Sequence, residues 1–219
     1  MPDGPPKRPY NSARRQAQAQ ETRRHILEAA RRLFIARGYA GTTMEALAQE
    51  AAVAVETVYA TFGSKRTVLA RLIDWQVLGD DAPEPILERA APQQVRLEPD
   101  QRRQIALFAT SMTAIMERVG PLFGVLRAAA ITEPDIAELL RRVLASRRAN
   151  LIQFAGWVAE HGPLRTGLTV EDAGTAAWAL SSAEMHHLLT VDLGWPAERF
   201  AAWLADALIA TLLPPEPSA

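Results

Sequence analysis

The chain has 219 residues, 48% of them hydrophobic and 22% charged, a composition that supports a buried core in one or two domains and excludes a disordered polyelectrolyte. It has no cysteine, which excludes a disulfide framework, a thiolate zinc site and a cysteine nucleophile. The net charge of −1 conceals an asymmetry: residues 1–70 hold eleven Lys and Arg against six Asp and Glu, a balance of +5 that leaves −6 for the remainder, so a polyanion would meet one end only.

Residues 1–12, MPDGPPKRPYNS, hold four prolines and Lys7-Arg8. They are expected to be a flexible basic arm, either a plain tail or a strand that reaches phosphates beside the domain that follows. No apolar signal segment is visible there, and no apolar run approaches the roughly 18 residues that cross a bilayer, so a soluble, cytoplasmic chain is expected. Ser12 to Gln20 favours helix by propensity, so the first helix is expected to begin well before Thr22. Ile26, Leu27, Ala30, Leu33 and Phe34 share one face of it, with Arg23, Arg24, Glu28, Arg31 and Arg32 opposite. A merely solvated face would also carry such arginines. Gly38 has the place of a left-handed C′ residue, after which Tyr39 can pack back.

Thr42 or Thr43 starts a second helix, Thr42-x-x-Glu45 having the spacing of a capping box ahead of Met44, Leu47, Ala48 and Ala51. After Ala51-Ala52-Val53-Ala54 a third pattern steps through Val55, Val58, Tyr59 and Phe62. Two helices of about two turns joined by a few small residues form a helix-turn-helix. Gly63 closes the third helix, and Ser64 can cap a fourth that runs through Val68, Leu69, Leu72 and Ile73.

The series Gly38-Tyr39-x-x-Thr42-Thr43, Leu47-Ala48-x-x-Ala51 and Thr57-Val58-Tyr59-x-x-Phe62-x-Ser64-Lys65 resembles the N-terminal domain of the TetR/AcrR family of bacterial transcriptional regulators. The resemblance covers roughly residues 23–69 without a gap. It departs at Ala52, where the family usually has glycine, so the turn must be made without glycine's tolerance of positive φ, at a cost on the order of 1 kcal/mol. The resemblance implies that the third helix enters the major groove of double-stranded DNA. Val55, Glu56, Thr57, Ala60 and Thr61 would then be available to base edges, and Val58 and Phe62 would anchor the helix. By the same resemblance Thr42 or Thr43, Tyr59 and Lys65 match positions that hold the DNA backbone, although the Tyr59 ring also continues the apolar stripe. Glu56 at a groove would accept from a cytosine amino group; otherwise it serves only the first turn of its helix.

Gly79 to Asp100 contains four prolines and is expected to be a loop with at most short helical turns. A helix through Ile105, Phe108, Met112, Ile115 and Met116 should stop at Gly120-Pro121, and a short one should follow from Leu122 to Ile131. Thr132-Glu133-Pro134-Asp135 then has the chemistry of a helix start, and that helix should reach about His161 before Gly162-Pro163. Thr169 caps a further helix expected to run to Val191, and a last one is expected from Pro196 to Leu213. Both carry apolar faces wider than one subunit needs, and the resemblance implies that they form a homodimer interface. No segment alternates like a strand.

The fold expected is therefore all-α: a helix-turn-helix domain over residues 13–69 after the arm of residues 1–12, then a larger helical effector-binding and dimerisation domain over residues 70–213 and a tail at residues 214–219. The function expected is a sequence-specific DNA-binding regulator, a repressor released from a palindromic operator by a small apolar or amphipathic effector. The wall of the effector site would come from Met112, Met116, Phe123, Leu126, Phe154, Trp157 and Trp178, with Arg127, Glu184 and His187 as polar anchors. Two alternatives stand beside it. One is a DNA-binding dimer without effector response. The other is a helical metal-dependent enzyme, for which Glu184 and His187 would supply half a site, though no second carboxylate–histidine pair accompanies them. No catalytic motif, cofactor fingerprint or membrane partner is expected.

Overall fold

A computed structural model describes residues 10–79 and 85–215, with side chains from residue 14 onward. The described residues form helices joined by turns and short connections, without a strand, and none of these helices is long and apolar enough to cross a membrane. The chain divides into two compact units, the first ending at Leu72 and the second starting at Ile73.

In the first unit α1 (Tyr10–Arg37) is longer than its apolar face requires. Residues 1–9 of the expected arm lie outside the described residues, and Tyr10 to Ser12 are already helical. From Ile26 onward α1 buries Ile26, Leu27, Ala30, Leu33 and Phe34, whereas residues 14–20 bury nothing. It stops at Gly38, whose amide makes the last bond, to the Phe34 carbonyl at 2.9 Å, and whose φ of 69° turns the chain out of the helix. Tyr39 then folds back, its ring stacked on Phe34 with centroids 5.9 Å apart.

α2 (Met44–Glu50) is capped by Thr43, whose hydroxyl accepts from the Ala46 amide at 3.1 Å. The capping box expected from Thr42 to Glu45 does not form, because the Thr42 hydroxyl is buried and donates to the Gly38 carbonyl at 2.9 Å. The turn after α2 closes as a Schellman motif, the Val53 amide bonding Ala48 and the Ala52 amide bonding Gln49, at 3.0 and 3.2 Å. Ala52 sits at the left-handed position with φ 54°, the one non-glycine residue with positive φ among those described. α3 (Val55–Phe62) is anchored by Val58 and Phe62, and α2 packs on both α1 and α3. α4 (Lys65–Leu78) follows, with Ser64 accepting from the Thr67 amide at 3.2 Å.

The second unit departs from the sequence pattern in three places. Within the span expected to be loop, a 3-10 turn (Ile86–Glu88) leads into α5 (Ala90–Leu97), which buries Val95 and tolerates Pro92 because the first helical turn needs no amide donor. α6 (Gln101–Ala130) runs unbroken through Gly120-Pro121. An interior proline costs roughly 3 kcal/mol, offset here by one buried stripe on both sides of it: Met116, Val119, Leu122, Phe123 and Leu126. α7 (Pro134–Glu160) starts with proline in its first turn, as the sequence implies.

The third departure is the helix expected from Thr169 to Val191, which is broken. α8 (Val170–Leu180) is capped by Thr169 and ends at Ser181; Ser182 caps the short α9 (Ala183–His187), and Leu188–Asp192 continues as a π-helical turn. Arg147 of α7 reaches into the break and donates to the carbonyls of Trp178 (2.8 Å) and Ser181 (2.6 Å) and to the Ser181 hydroxyl (2.6 Å). A guanidinium at carbonyls left unpaired by a helix end is favoured by hydrogen bonding and by the helix dipole. Burial nevertheless pulls the Arg147 pKa down to about 10 against the opposing pull of Glu184. α8 lies close on α7 at Gly174, where a Cβ would come within 2.5 Å of the Ile152 Cα. α10 (Ala197–Leu212) buries Phe200, Leu204, Leu208 and Leu212 in the core that it shares with α6 and α8.

Candidate nucleic-acid interface

α3 buries Val58 and Phe62 and turns its other side to solvent. At 100° per residue Ala60 lies opposite the midpoint of those two anchors, with Glu56 to one side and Thr57 and Thr61 to the other. Glu56, Ala60 and Thr61 are exposed and Val55 and Thr57 half-buried. Among the described residues Glu56 makes no ion pair. Tyr59 is 48% exposed, so its ring is not part of the apolar stripe, and its hydroxyl and ring are both open to a partner. The Thr61 hydroxyl donates back to the Thr57 carbonyl at 2.7 Å, leaving it an acceptor toward anything outside.

Beside α3 the start of α4 presents Lys65, whose ammonium donates to the Tyr39 carbonyl at 2.8 Å and lies 4.1 Å from the Tyr39 ring centre. Those contacts fix where this cation stands, so it offers a placed charge rather than a swinging one. Thr43 is exposed on the same α1–α2 connection, whereas Thr42 is fully buried; of the two threonines only Thr43 can meet a ligand. Arg32 of α1 is occupied by Glu50 of α2 at 2.7 Å, and Arg24 faces Glu28 at 3.7 Å, so part of the arginine face serves the unit itself. Arg15, Gln18, Thr22 and Arg23 of α1 line a groove with Thr57 and Thr61 of α3. Nothing in the apolar periodicity marked Arg15 or Gln18, since neither packs; their signal is the polar helix that precedes Thr22.

The second unit distributes the remaining candidates unevenly. Met116, Phe123, Leu126, Phe154 and Trp157 are core residues, and Phe154 stacks on Phe108 with centroids 3.9 Å apart. Met112 and Trp178 are half-buried. Arg127 pairs with Glu184, and exposed His187 faces Asp192 at 3.6 Å, so the structure does not bring Glu184 and His187 together. The buried histidine is its neighbour His186, edge-on to Phe200 at 4.9 Å, with Nδ1 3.4 Å from the Thr190 hydroxyl and Nε2 unpaired. Burial pushes the His186 pKa down, against the attraction of Glu117 and with a smaller push from His187. Gln104 is also fully buried with neither amide atom paired.

Residues 26–72 match the family model for bacterial regulatory proteins of the tetR family. No curated protein matches the chain. Solved structures do. A chain named as a TetR-family transcriptional regulator, from Mesorhizobium loti, is 22% identical over 88% of this chain and 96% of its own, with a TM-score of 0.62. The SmeT–triclosan complex is 20% identical over 91% and 100%, with a TM-score of 0.64. A chain named as a transcriptional regulator of Saccharomonospora viridis in complex with choline is 18% identical over 90% and 100%, with a TM-score of 0.62. At these identities the likeness is one of fold. Residues 26–72 thus match the helix-turn-helix unit of bacterial regulatory proteins of the tetR family, and the chain shares over most of its length the fold of structures named as TetR-family transcriptional regulators.

Proposed function

We propose that the chain is a cytoplasmic, homodimeric repressor that reads a roughly palindromic operator with α3 and leaves it when a small apolar or amphipathic effector binds the second unit. The carrying observation is the outer side of α3: Glu56, Ala60 and Thr61 exposed on a helix pinned by Val58 and Phe62, beside the placed cation of Lys65. An exposed helix face with a cation at its flank suits base reading between two phosphate strands. Dimerisation is supported by apolar side chains that one subunit leaves in solvent, Leu188, Val191 and Leu193 on and after the π-helical turn, next in sequence to α10 with half-buried Trp203 and Ile209.

An effector is supported by buried polar atoms without partners in the second unit, among them the Gln104 amide, His186 Nε2 and Trp178 Nε1, each of which a ligand could satisfy. The bound triclosan and choline of two structural relatives are consistent with a small molecule there. A ligand can release DNA only by preferring one dimer geometry, and a 100-fold release requires about 2.7 kcal/mol of such preference. The function is tested by selecting duplexes from a random pool at stated salt with the wild-type chain and with Glu56→Gln. A two-fold related consensus is expected from the wild type, changed at one base pair per half-site by the substitution. A consensus without two-fold symmetry would sink the dimeric reading, and an identical consensus from both proteins would remove Glu56 from readout.

A further inference from the structure

We infer that His186 is a polar anchor of the effector site and that it selects a neutral compound, an alcohol or phenol on an apolar body, whose hydroxyl donates a hydrogen bond to Nε2. The inference rests on the effector role proposed above and narrows the chemistry of the ligand.

The proton count on the imidazole carries it. The Thr190 hydroxyl donates to the His186 carbonyl at 2.8 Å, so its single proton is committed, and toward Nδ1, 3.4 Å away, it can only accept. Nδ1 therefore holds the ring proton of the neutral imidazole, and Nε2 presents a bare lone pair. The other tautomer would set two lone pairs against each other at Thr190 and bury an N–H at Nε2 without an acceptor. Among the described residues no protein group pairs with Nε2, and His186 is only 8% exposed. A buried acceptor of this kind requires a donor.

The surroundings decide which kind of donor. The ring stands edge-on to Phe200 at 4.9 Å, and Phe200 and Leu189 belong to the apolar core of the second unit, with half-buried Met185 packed against it. α6 passes the imidazole at Gly120, where a Cβ would meet Nδ1 at 3.8 Å and nothing else within 4 Å, so no side chain at that position closes over the ring. Met185 is flexible enough to repack around an apolar guest. A carboxylate would set its own lone pairs against Nε2, and an ammonium would lose its hydration among these apolar groups. Burial also keeps the imidazole neutral against the attraction of Glu117, with His187 pushing the same way as burial. A hydroxyl brings the donor without a charge. A single buried water would donate as well, and the experiment separates the two.

Phenol and toluene are the probes, alike in shape and different at the hydroxyl. Their affinities for the full-length chain are measured by NMR titration at about pH 7.5, where an ordinary histidine is neutral, for wild type, His186→Phe and His186→Gln. The preference for phenol over toluene should fall at least about tenfold in His186→Phe. It should return in His186→Gln, whose side-chain carbonyl supplies an acceptor near the place of Nε2. In wild type, nitrogen NMR should show a protonated Nδ1 and a bare Nε2 whose resonance moves with phenol and not with toluene. If His186→Phe does not fold, these wild-type spectra decide. A proton on Nε2 overturns the inference, and so does an equal preference in all three proteins. Absence of phenol binding overturns it too, leaving a buried water as the partner of Nε2. Benzoate bound more tightly than phenol would require a charged ring and overturns it likewise. If phenol binds at His186 while operator affinity is unchanged, the site stands and the effector role proposed above fails. If another compound releases the operator while the His186 resonances stay still, the effector role stands and this inference fails.

Discussion

Ala52→Gly should stabilise the protein, against the usual direction of alanine-to-glycine changes. Ala52 stands at φ 54°, in the region that L side chains enter at a cost of about 1–2 kcal/mol. Glycine removes that cost but adds denatured-state freedom worth about 0.4–1 kcal/mol. Ala52 is exposed, so losing its methyl opens no cavity, and the Schellman bonds to Ala48 and Gln49 use backbone atoms only. The net gain is about 0.5–1 kcal/mol, read as a rise of about 1–4 °C in the melting temperature of a chain this size. Ala60→Gly, on the exposed side of α3, is the comparison: helical φ carries no strain to relieve, and a loss of about 1 kcal/mol is expected. Operator affinity of Ala52→Gly should stay within about twofold, since the turn keeps its bonds. Equal losses of stability for the two variants would refute the strain at Ala52.

Trp203→Glu should convert dimer to monomer in sedimentation, because Trp203 is half-buried in one subunit; a folded variant that still sediments as a dimer would move the interface off α10. Leu204→Glu cannot serve this purpose, since Leu204 is fully buried in its own subunit's core. Replacing Arg147 by Met strands the carbonyls of Trp178 and Ser181, and a loss on the order of 3 kcal/mol in urea unfolding is expected; a wild-type midpoint would deny Arg147 its place at the helix break. His186 is held below its ordinary pKa by burial, so between that lowered value and about 6.5 the unfolded chain binds more protons. Its contribution is complete above about pH 6.5 and is lost as pH falls through the lowered value. The melting temperature of His186→Asn should therefore decline less than that of wild type between pH 7.5 and 5.5, and parallel curves would contradict the assignment.

The first unit was legible because its signals are local. Gly38 and Gly63 end helices by their own backbone, and Ala52 could be marked for strain because the motif fixed its register. Thr42 and Thr43 could not be told apart by spacing, since the choice depends on whether the Gly38 carbonyl takes the Thr42 hydroxyl. Tyr59 looked apolar on a helical wheel but stands in solvent. The second unit was harder because its punctuation is tertiary. Gly120-Pro121 reads as a stop, yet the stripe from Met116 to Leu126 carries α6 through it. Ser181-Ser182 reads as helix, yet Arg147, distant in sequence, supplies the donors that let α8 end there. Within α9 His186 is buried and His187 exposed, and two adjacent histidines in a pattern do not reveal which is which.

The central claim is that α3 reads the major groove in each half of a two-fold site, and methylation interference on the selected duplex tests it most directly. Guanine N7 faces the major groove and adenine N3 the minor groove. Methylation at N7 should block binding in two clusters about 10 base pairs apart, or a multiple of that, related by two-fold symmetry. Interference confined to adenine N3, or a single N7 cluster without a symmetric partner, would contradict it.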